Sequence, residues 1–219
     1  MSPSPTPPAP PAPPAPTAVD SLLDDGSGRL PRADARRNVE RLVAAAREAA
    51  QEGGEITAHE IARRAGVGVG TFYRRVGSLE ELLKAVLNEV LAEIIGIGDR
   101  GLADPDPWAG FGTFAASYTR LRNELCDVNK ALGNVLDHSR AELRDRIQAL
   151  VERAQAAGVM RRDIAWEDVA FLMISVSTGD HTLGLRAGER QWDRNLQVIL
   201  DGLRTPEPTE LPGKPPTLG

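Results

Sequence analysis

Small, hydroxyl-bearing and cationic side chains are concentrated between positions 68 and 75. The segment there reads GVGTFYRR, in which two arginines follow two glycines, a threonine and two aromatic residues. Guanidinium and hydroxyl groups bind phosphate oxygens, and small residues let a backbone approach the edges of bases. On one face of a helix, these residue types are suited to the major groove of double-stranded DNA.

Two short helices joined by a tight turn would present this segment. Thr57 and Glu60 have the spacing of a capping box, which predicts the start of a first helix. Gly66 has no Cβ atom, so it can adopt a positive φ and let the chain reverse. The apolar face of the first helix would contain Ala58, Ile61, Ala62 and Ala65.

The second helix would run from Gly68 to Val76. Its inner face would carry Val69, Phe72, Tyr73 and Val76, and its outer face Gly70, Thr71, Arg74 and Arg75. The pattern predicts a helix-turn-helix. An ordinary αα-hairpin with solvated arginines would have the same helix, glycine and helix order.

The sequence of residues 65–83, AGVGVGTFYRRVGSLEELL, closely resembles the segment by which the TetR family of bacterial regulators is recognised. The resemblance is specific over about residues 36–91. It implies an all-α fold, with an N-terminal three-helix helix-turn-helix DNA-binding domain and a C-terminal helical ligand-binding and dimerisation domain. It also implies base-edge contacts for Val69, Gly70 and Thr71 and phosphate contacts for Tyr73 and Thr57. With the arginines that could reach phosphates, the predicted DNA-binding residues are Arg36, Arg37, Thr57, Gly68, Val69, Gly70, Thr71, Tyr73, Arg74 and Arg75. For Arg36 and Arg37, a solvated helix face is the alternative.

The sequence departs from the family pattern at several positions. Gly68 stands where serine or threonine usually caps the recognition helix, and Arg75 and Val76 replace a frequent His-Phe pair. Leu79 replaces a lysine that often contacts phosphate, so Arg74 or Arg75 would have to supply that positive charge.

The charge distribution favours a DNA-binding module attached to an acidic body. The 219-residue chain has a net charge of −5, yet residues 29–79 hold ten arginines and six acidic residues. This region therefore carries a net charge of +4 and the remainder −9. Such an asymmetry is typical of a DNA-binding protein with a separate second domain. With 41% hydrophobic but only 4% aromatic residues, the composition suits a helical protein.

A few residues indicate the cellular compartment and whether a metal or cofactor is to be expected. Cys126 is the single cysteine, which excludes an intrachain disulfide and favours a reducing cytoplasm. No secretion signal or membrane span is predicted. His59, His138 and His181 lack partners at metal-ligand spacing, so we expect no metal and no cofactor, and no catalytic motif predicts an enzyme.

The predicted domain boundaries follow composition and helical periodicity. Residues 1–31 should be a disordered proline-rich tail and linker. The alternative is that the proline-rich sequence serves as a docking peptide. The helix-turn-helix domain should span 32–77, the ligand-binding and dimerisation domain 78–204, and a second disordered tail 205–219. The helices are expected at 32–51, from Ser78 to near Gly96 and Gly98, at 107–126, 129–137, 139–157, 166–186 and 189–204. A turn-rich connector should occupy 101–107.

Aromatic and polar residues of the second domain could line a ligand pocket. The predicted ligand-binding residues are Trp108, Phe111, Phe114, Tyr118, Asn134, His138, Met173, Ser177 and His181. An aromatic stripe at helical spacing is also typical of a plain core. The helices near 166–186 and 189–204 have apolar faces suited to a four-helix homodimer interface, or else to completing the monomer core.

The resemblance implies a homodimeric repressor. Two recognition helices would enter successive major grooves about 34 to 36 Å apart on a roughly palindromic operator. A small-molecule effector in the C-terminal domain would move the fourth helix and release the DNA. A small helical enzyme or protein-interaction module, whose N-terminal helices only pack, remains the alternative.

Overall fold

Helices make up nearly all the regular structure in the computed structural model, which describes residues 17–24, 33–52, 56–124, 137–176, 181–188, 190–204 and 206–217. The helices are α1 (Ala18–Leu23), α2 (Ala33–Glu52), α3 (Ala58–Arg64), α4 (Val69–Val76), α5 (Leu79–Ala103), α6 (Pro107–Glu124), α7 (Asp137–Ala156), α8 (Trp166–Ser175) and α9 (Gln191–Leu203). An antiparallel hairpin of β1 (His181–Thr182) and β2 (Leu185–Arg186) lies between α8 and α9. The predicted all-α class is confirmed.

The N-terminal helices share a core with the first turns of α5. Leu42 of α2, Ile61 of α3, Phe72 of α4 and Leu82 of α5 are all fully buried within one apolar cluster. Because each helix contributes a large side chain, the orientation of α4 is set from three sides. This core is what positions the segment around residues 68–75.

Residues 18–23 form a helix, α1, in a segment that the sequence analysis assigned to tail and linker. The Thr17 hydroxyl oxygen accepts a hydrogen bond from the Asp20 amide at 3.1 Å and so caps α1. Ala18 is buried, and Leu22 and Leu23 pack against the same core. Six residues are too few to form a stable helix alone, so packing against α2 and α5 is what orders α1. The expected tail over residues 1–16 lies outside the described residues.

Helix α5 continues past the glycines that were expected to end it. It runs to Ala103, and with α6 beginning at Pro107 the connector expected over 101–107 is reduced to residues 104–106. A Cβ atom on Gly98 would lie 2.9 Å from Arg146 Cγ, and one on Gly101 would lie 2.8 Å from the Gly110 carbonyl oxygen. These glycines therefore allow α6 and α7 to approach α5 closely, instead of terminating it.

The caps of α5 and α6 agree with their sequence signals. Ser78 accepts a hydrogen bond from the Glu81 amide at 3.1 Å. Asp106 Oδ1 accepts from the amides of Trp108 and Ala109 at 2.8 and 3.2 Å, directly before the first-turn residue Pro107. Helix α7 instead begins at Asp137, so Ser139 lies inside it, and the helix expected over 129–137 falls mostly outside the described residues.

The predicted helix over 166–186 was too long. Helix α8 ends at Ser175, and residues 181–186 form the hairpin, in which Leu183 and Gly184 both have positive φ. In the protomer, the apolar residues Phe171 and Ile174 of α8 are 63% and 39% exposed. The helix therefore buries one face through Val169 and Met173 and leaves an apolar face uncovered in the protomer.

The C-terminal residues 206–217 follow α9 without a helix or strand. They are mostly exposed, and the Thr209 carbonyl oxygen accepts a hydrogen bond from Arg161 at 2.9 Å. Among the described residues, no helix combines the length and apolar character that crossing a membrane requires.

Candidate nucleic-acid interface and ligand-binding region

The turn between α3 and α4 has the geometry predicted for a helix-turn-helix. Thr57 Oγ1 accepts from the Glu60 amide at 3.2 Å at the start of α3. Gly66 has a φ of +65°, and the Val67 amide donates to the Ala62 carbonyl oxygen at 3.0 Å, which closes the end of the helix. Positive φ at residue 66 is thus required by the chain reversal.

The Glu60 carboxylate has a different partner from the one that a full capping box would give it. It accepts hydrogen bonds from Arg63 at 2.8 and 2.6 Å and from Arg64 at 2.7 Å. The hydrogen bonds from Arg63 and then Arg64 lower the pKa of Glu60 to about 2. Two arginines of α3 are therefore neutralised in part by an acid on the same helix.

Helix α4 is fixed by Phe72 and Val76, which are buried one turn apart. Gly68 and Gly70 lie on its exposed side, and a Cβ atom on either would meet no atom within 4 Å. Neither glycine has a positive φ. Since the protein's own packing does not require glycine at these two positions, their small size leaves room for the close approach of another molecule.

The structure corrects the sides assigned to two residues of α4. Tyr73 was expected on the inner face but is 50% exposed, and Arg75 was expected outside but is half-buried, with its Nε lacking a hydrogen-bond partner among the described residues. Both residues border the narrow stripe formed by Phe72 and Val76, where helical periodicity does not distinguish inside from outside. The Tyr73 ring packs edge-on against Phe72, at 5.2 Å between centroids, and its position leaves the side chain accessible.

Three residues on the exposed side of α4 are brought close together. Arg74 Nη2 donates a hydrogen bond to Thr71 Oγ1 at 3.0 Å, and Gly70 is adjacent to Thr71. The guanidinium group keeps further N–H donors for an outside acceptor, because this bond uses only one of its five. Together with the exposed Tyr73, these three residues, Gly70, Thr71 and Arg74, form the surface that we call the α4 outer face.

The two predicted phosphate-binding arginines of α2 lie in surface ion pairs. Arg36 donates to Asp20 Oδ1 at 2.9 Å and to Glu40 Oε1 at 3.2 Å. Arg37 pairs with Asp34 in the first turn of α2. Both arginine side chains remain about half exposed or more, so each keeps donor groups accessible to an external anion.

The aromatic residues of α6 that were predicted to line a pocket are packed into the domain core. Phe111 and Phe114 are fully buried, which favours the plain-core alternative for both. The ring of Trp108 lies 5.6 Å from that of Phe111, and Tyr118 stacks on Phe114 at 5.9 Å. The Arg204 guanidinium carbon lies 4.9 Å from the centroid of the Trp108 ring, which connects the end of α9 to α6.

The other predicted ligand-binding residues are distributed over several elements. Met173 is buried in α8, His138 is the second residue of α7, and His181 is the first residue of β1. Asn134 and Ser177 lie outside the described residues. Four of the nine predicted residues thus share α6, and the structure does not bring the full set together.

Thr119 is a polar residue of α6 that the sequence analysis did not select. It is 1% exposed, and its Oγ1 has no hydrogen-bond partner among the described residues. An unpaired buried hydroxyl is costly, so it is a candidate to bind a polar group of a ligand. The only signal in the sequence is its place four residues after Ala115 and eight after Phe111 on the apolar stripe.

Metal chemistry finds no support in the described parts of the chain. No group of three or more His, Cys, Asp or Glu side chains there could hold an ion. Cys126 lies outside them.

Comparisons with known proteins match both halves of the chain. Residues 42–86 match the model for bacterial regulatory proteins of the tetR family, and residues 109–205 match that for the C-terminal domain of SbtR-like transcriptional regulators. No curated protein matches the sequence.

Two solved structures are similar over most of the chain. The TetR transcription regulatory protein from Mycobacterium vanbaalenii is 30% identical, with a TM-score of 0.55, over 80% of this chain and 99% of its own. The TetR transcriptional regulator SCO0520 from Streptomyces coelicolor is 26% identical, with a TM-score of 0.58, over 77% of this chain and 99% of its own.

Proposed function

This chain belongs to the TetR family of bacterial transcriptional regulators, and from that premise we propose that it is a homodimeric repressor released from its operator by a small molecule. Each protomer would place α4 in a major groove of a roughly palindromic site. A TetR regulator binds DNA and is not generally an enzyme. The proposal therefore concerns how this chain binds DNA.

The α4 outer face is the observation that carries the proposal. It combines small size at Gly70, a hydroxyl group at Thr71, and the exposed polar ends of Tyr73 and Arg74. Small residues would admit the base edges, while the guanidinium and phenol groups would bind phosphate oxygens. Because Phe72 and Val76 anchor α4 from behind, this face would meet DNA without rearrangement of the domain.

The homodimer would form through the apolar faces of α8 and α9. Phe171 on α8 is 63% exposed and Val198 on α9 is 73% exposed, each on a helix that otherwise packs against the core. A second copy of the same two helices would bury them in a four-helix arrangement with two-fold symmetry. Two copies of α4 would then lie about 34 to 36 Å apart on DNA.

A small molecule would bind in the C-terminal domain near α6. Thr119 would supply a hydrogen-bonding group beside Tyr118, and Trp108 would supply an aromatic wall. Helix α5 would transmit binding, because it begins beside α4 and its last turns pack against α6 and α7. A coupling of about 1 to 3 kcal/mol would change the DNA affinity roughly 5- to 150-fold.

Fluorescence anisotropy with DNA from the protein's own promoter, and with duplexes selected from a random library, tests the proposal. We expect tight binding by a dimer, with an affinity that falls steeply as the salt concentration rises. Failure to bind any selected duplex would contradict the proposal. A thermal-shift screen of metabolites and antibiotics then tests for an effector, since a ligand at about 100 times its Kd adds roughly 2.7 kcal/mol of stability.

A further inference from the structure

Helix α1 adds acidic groups to a domain that is otherwise basic. Residues 17–24 contain Asp20 and Asp24 and no lysine or arginine. The helix packs against α2 and α5 and also reaches α4, the helix that carries the outer face. Ala18 and the partly buried Leu22 and Leu23 attach it to the apolar core, so its position is defined by more than its charges.

Asp20 is held in place by the cap of its own helix. The Thr17 hydroxyl donates a hydrogen bond to Asp20 Oδ2 at 2.6 Å, while the Asp20 amide donates to Thr17 Oγ1 at 3.1 Å. The Thr17 hydroxyl and then the Arg36 guanidinium lower the pKa of Asp20 below its ordinary value, so this carboxylate is charged at neutral pH. Its other oxygen, Oδ1, is directed at Arg36.

Arg36 therefore faces two carboxylates with a single positive charge. Nη2 contacts Asp20 at 2.9 Å and Nε contacts Glu40 at 3.2 Å. The pair partners are about half exposed, so the guanidinium group of Arg36 is accessible to an anion from solvent. A phosphate that binds Arg36 must displace a carboxylate or sit beside it, and either arrangement reduces the gain from the contact.

We propose that α1 attenuates DNA binding because the Asp20 carboxylate competes with a DNA phosphate for the guanidinium group of Arg36. This inference rests on the proposed DNA-binding function and adds a control on its strength. Without the Asp20 charge, Arg36 is available for one additional phosphate contact. Affinity and its salt dependence then both increase, while the sequence preference set by α4 is unchanged.

The test is the Asp20→Asn variant, with fluorescence anisotropy on the duplex selected by the wild-type protein. One additional phosphate contact in each protomer gives the dimer two, which raises the affinity roughly nine- to sixtyfold at about 0.1 M salt and steepens the log–log salt slope by about 1.8. In the Arg36→Ala background, Asp20→Asn has no further effect, because the group for which Asp20 competes is absent. Leu22→Ser, which loosens α1 from the core but keeps Asp20, also raises the affinity.

Glu48→Gln is the matched charge control. Glu48 is exposed on the same helix as Arg36, and its replacement by glutamine removes one negative charge, as Asp20→Asn does. It lies twelve residues farther along α2, about 18 Å at the helical rise of about 1.5 Å per residue. That distance exceeds the Debye length of about 10 Å at 0.1 M salt, so the affinity changes less than about twofold.

The outcomes separate this inference from the function on which it rests. A wild-type protein that binds no duplex contradicts the proposed function itself. If the wild type binds and Asp20→Asn leaves the affinity unchanged or lowers it, the attenuation by α1 is wrong, and a lowered affinity means that Asp20 orients Arg36 for DNA. An increase that persists in the Arg36→Ala background also overturns the inference, since the effect then comes from net charge alone.

Discussion

The ring of Phe72 meets the ring of Tyr73 edge-on, at 5.2 Å between centroids and 80° between planes, although Phe72 is fully buried and Tyr73 is half exposed. The buried ring thereby holds its neighbour at the surface of the domain. Helix α4 is thus tied to the core and to its proposed DNA contact through two consecutive residues.

Tyr73→Phe removes only the phenol hydroxyl group. We expect each protomer to lose one phosphate hydrogen bond, about 1 kcal/mol, so the DNA affinity of the dimer should fall about thirtyfold while the melting temperature stays the same. Phe72→Ala should instead destabilise the protein by about 3 to 5 kcal/mol, because it leaves a cavity in the core. Anisotropy titrations and urea denaturation measure the two effects, and an unchanged affinity in Tyr73→Phe would remove this residue from the interface.

Arg74→Ala should weaken binding on every duplex and flatten the salt dependence. Its guanidinium group donates to Thr71, and its remaining donors are expected to contact phosphate. The log–log salt slope should decrease by about 1.8, because the dimer loses one phosphate contact from each protomer. Arg144→Ala, an exposed arginine of α7, is the control and should change neither affinity nor slope. Equal effects from the two variants would mean that Arg74 acts only through net charge.

The two glycines of α6 should respond in opposite directions to alanine. A Cβ atom on Gly110 would overlap the Gly101 carbonyl oxygen, whereas one on Gly112 would meet no atom within 4 Å. Gly110→Ala should therefore destabilise the protein by about 1 to 3 kcal/mol, and Gly112→Ala should stabilise it by about 0.5 to 1 kcal/mol. Urea denaturation at one protein concentration checks both, and a stable Gly110→Ala variant would contradict the close approach of α5 and α6.

The lowered pKa of Glu60 predicts a defined pH dependence. Its folded-state pKa is about 2 against an ordinary value of 4.5, so ionised Glu60 stabilises the fold above the higher value. This contribution should decrease as the pH falls from about 4.5 towards 2. The difference in unfolding free energy between wild type and Glu60→Gln should therefore be constant near neutral pH and shrink over that window. A difference that grows on acidification would contradict the assignment.

Val198→Asp should weaken the proposed homodimer. The side chain is 73% exposed in the protomer, so a carboxylate is tolerated there, but it would be buried against the second copy. We expect the dimer dissociation constant to rise at least about tenfold, equivalent to 1.4 kcal/mol. Ala156→Asp, at an exposed position of α7, places the same charge outside the proposed interface. Sedimentation velocity over a concentration series compares them, and an unaffected dimer in Val198→Asp would place the interface elsewhere.

The elements that the sequence predicted well are those with local signals. A positive φ at Gly66 and the caps at Thr57, Ser78 and Asp106 depend on a few neighbouring residues, so their patterns were sufficient. Gly96 and Gly98 were misread as a helix end and Gly101 as the start of a connector. Only the packing of Gly98 and Gly101 against α6 and α7 reveals why a side chain is missing there. Helix α1 was missed for a related reason, since its order comes from contacts with α2 and α5.

Site residues at the edge of a buried stripe were the hardest to place. Tyr73 and Arg75 flank the stripe of Phe72 and Val76 at similar angles, and the surrounding helices determine which is covered. The partners of Arg36 were also unpredictable, because Asp20 is sixteen residues away in a segment assigned to linker. Thr119 carried no motif, and its significance comes from burial without a hydrogen-bond partner in the described structure.

Footprinting of a selected duplex by the wild type and by a variant with Thr71, Tyr73 and Arg74 all changed to alanine tests most directly whether α4 reads DNA. The wild type should protect two patches about 10 base pairs apart, one for each protomer, and the triple variant should lose both while remaining folded and dimeric. A footprint that is the same for the two proteins would contradict the assignment of α4 as the recognition helix.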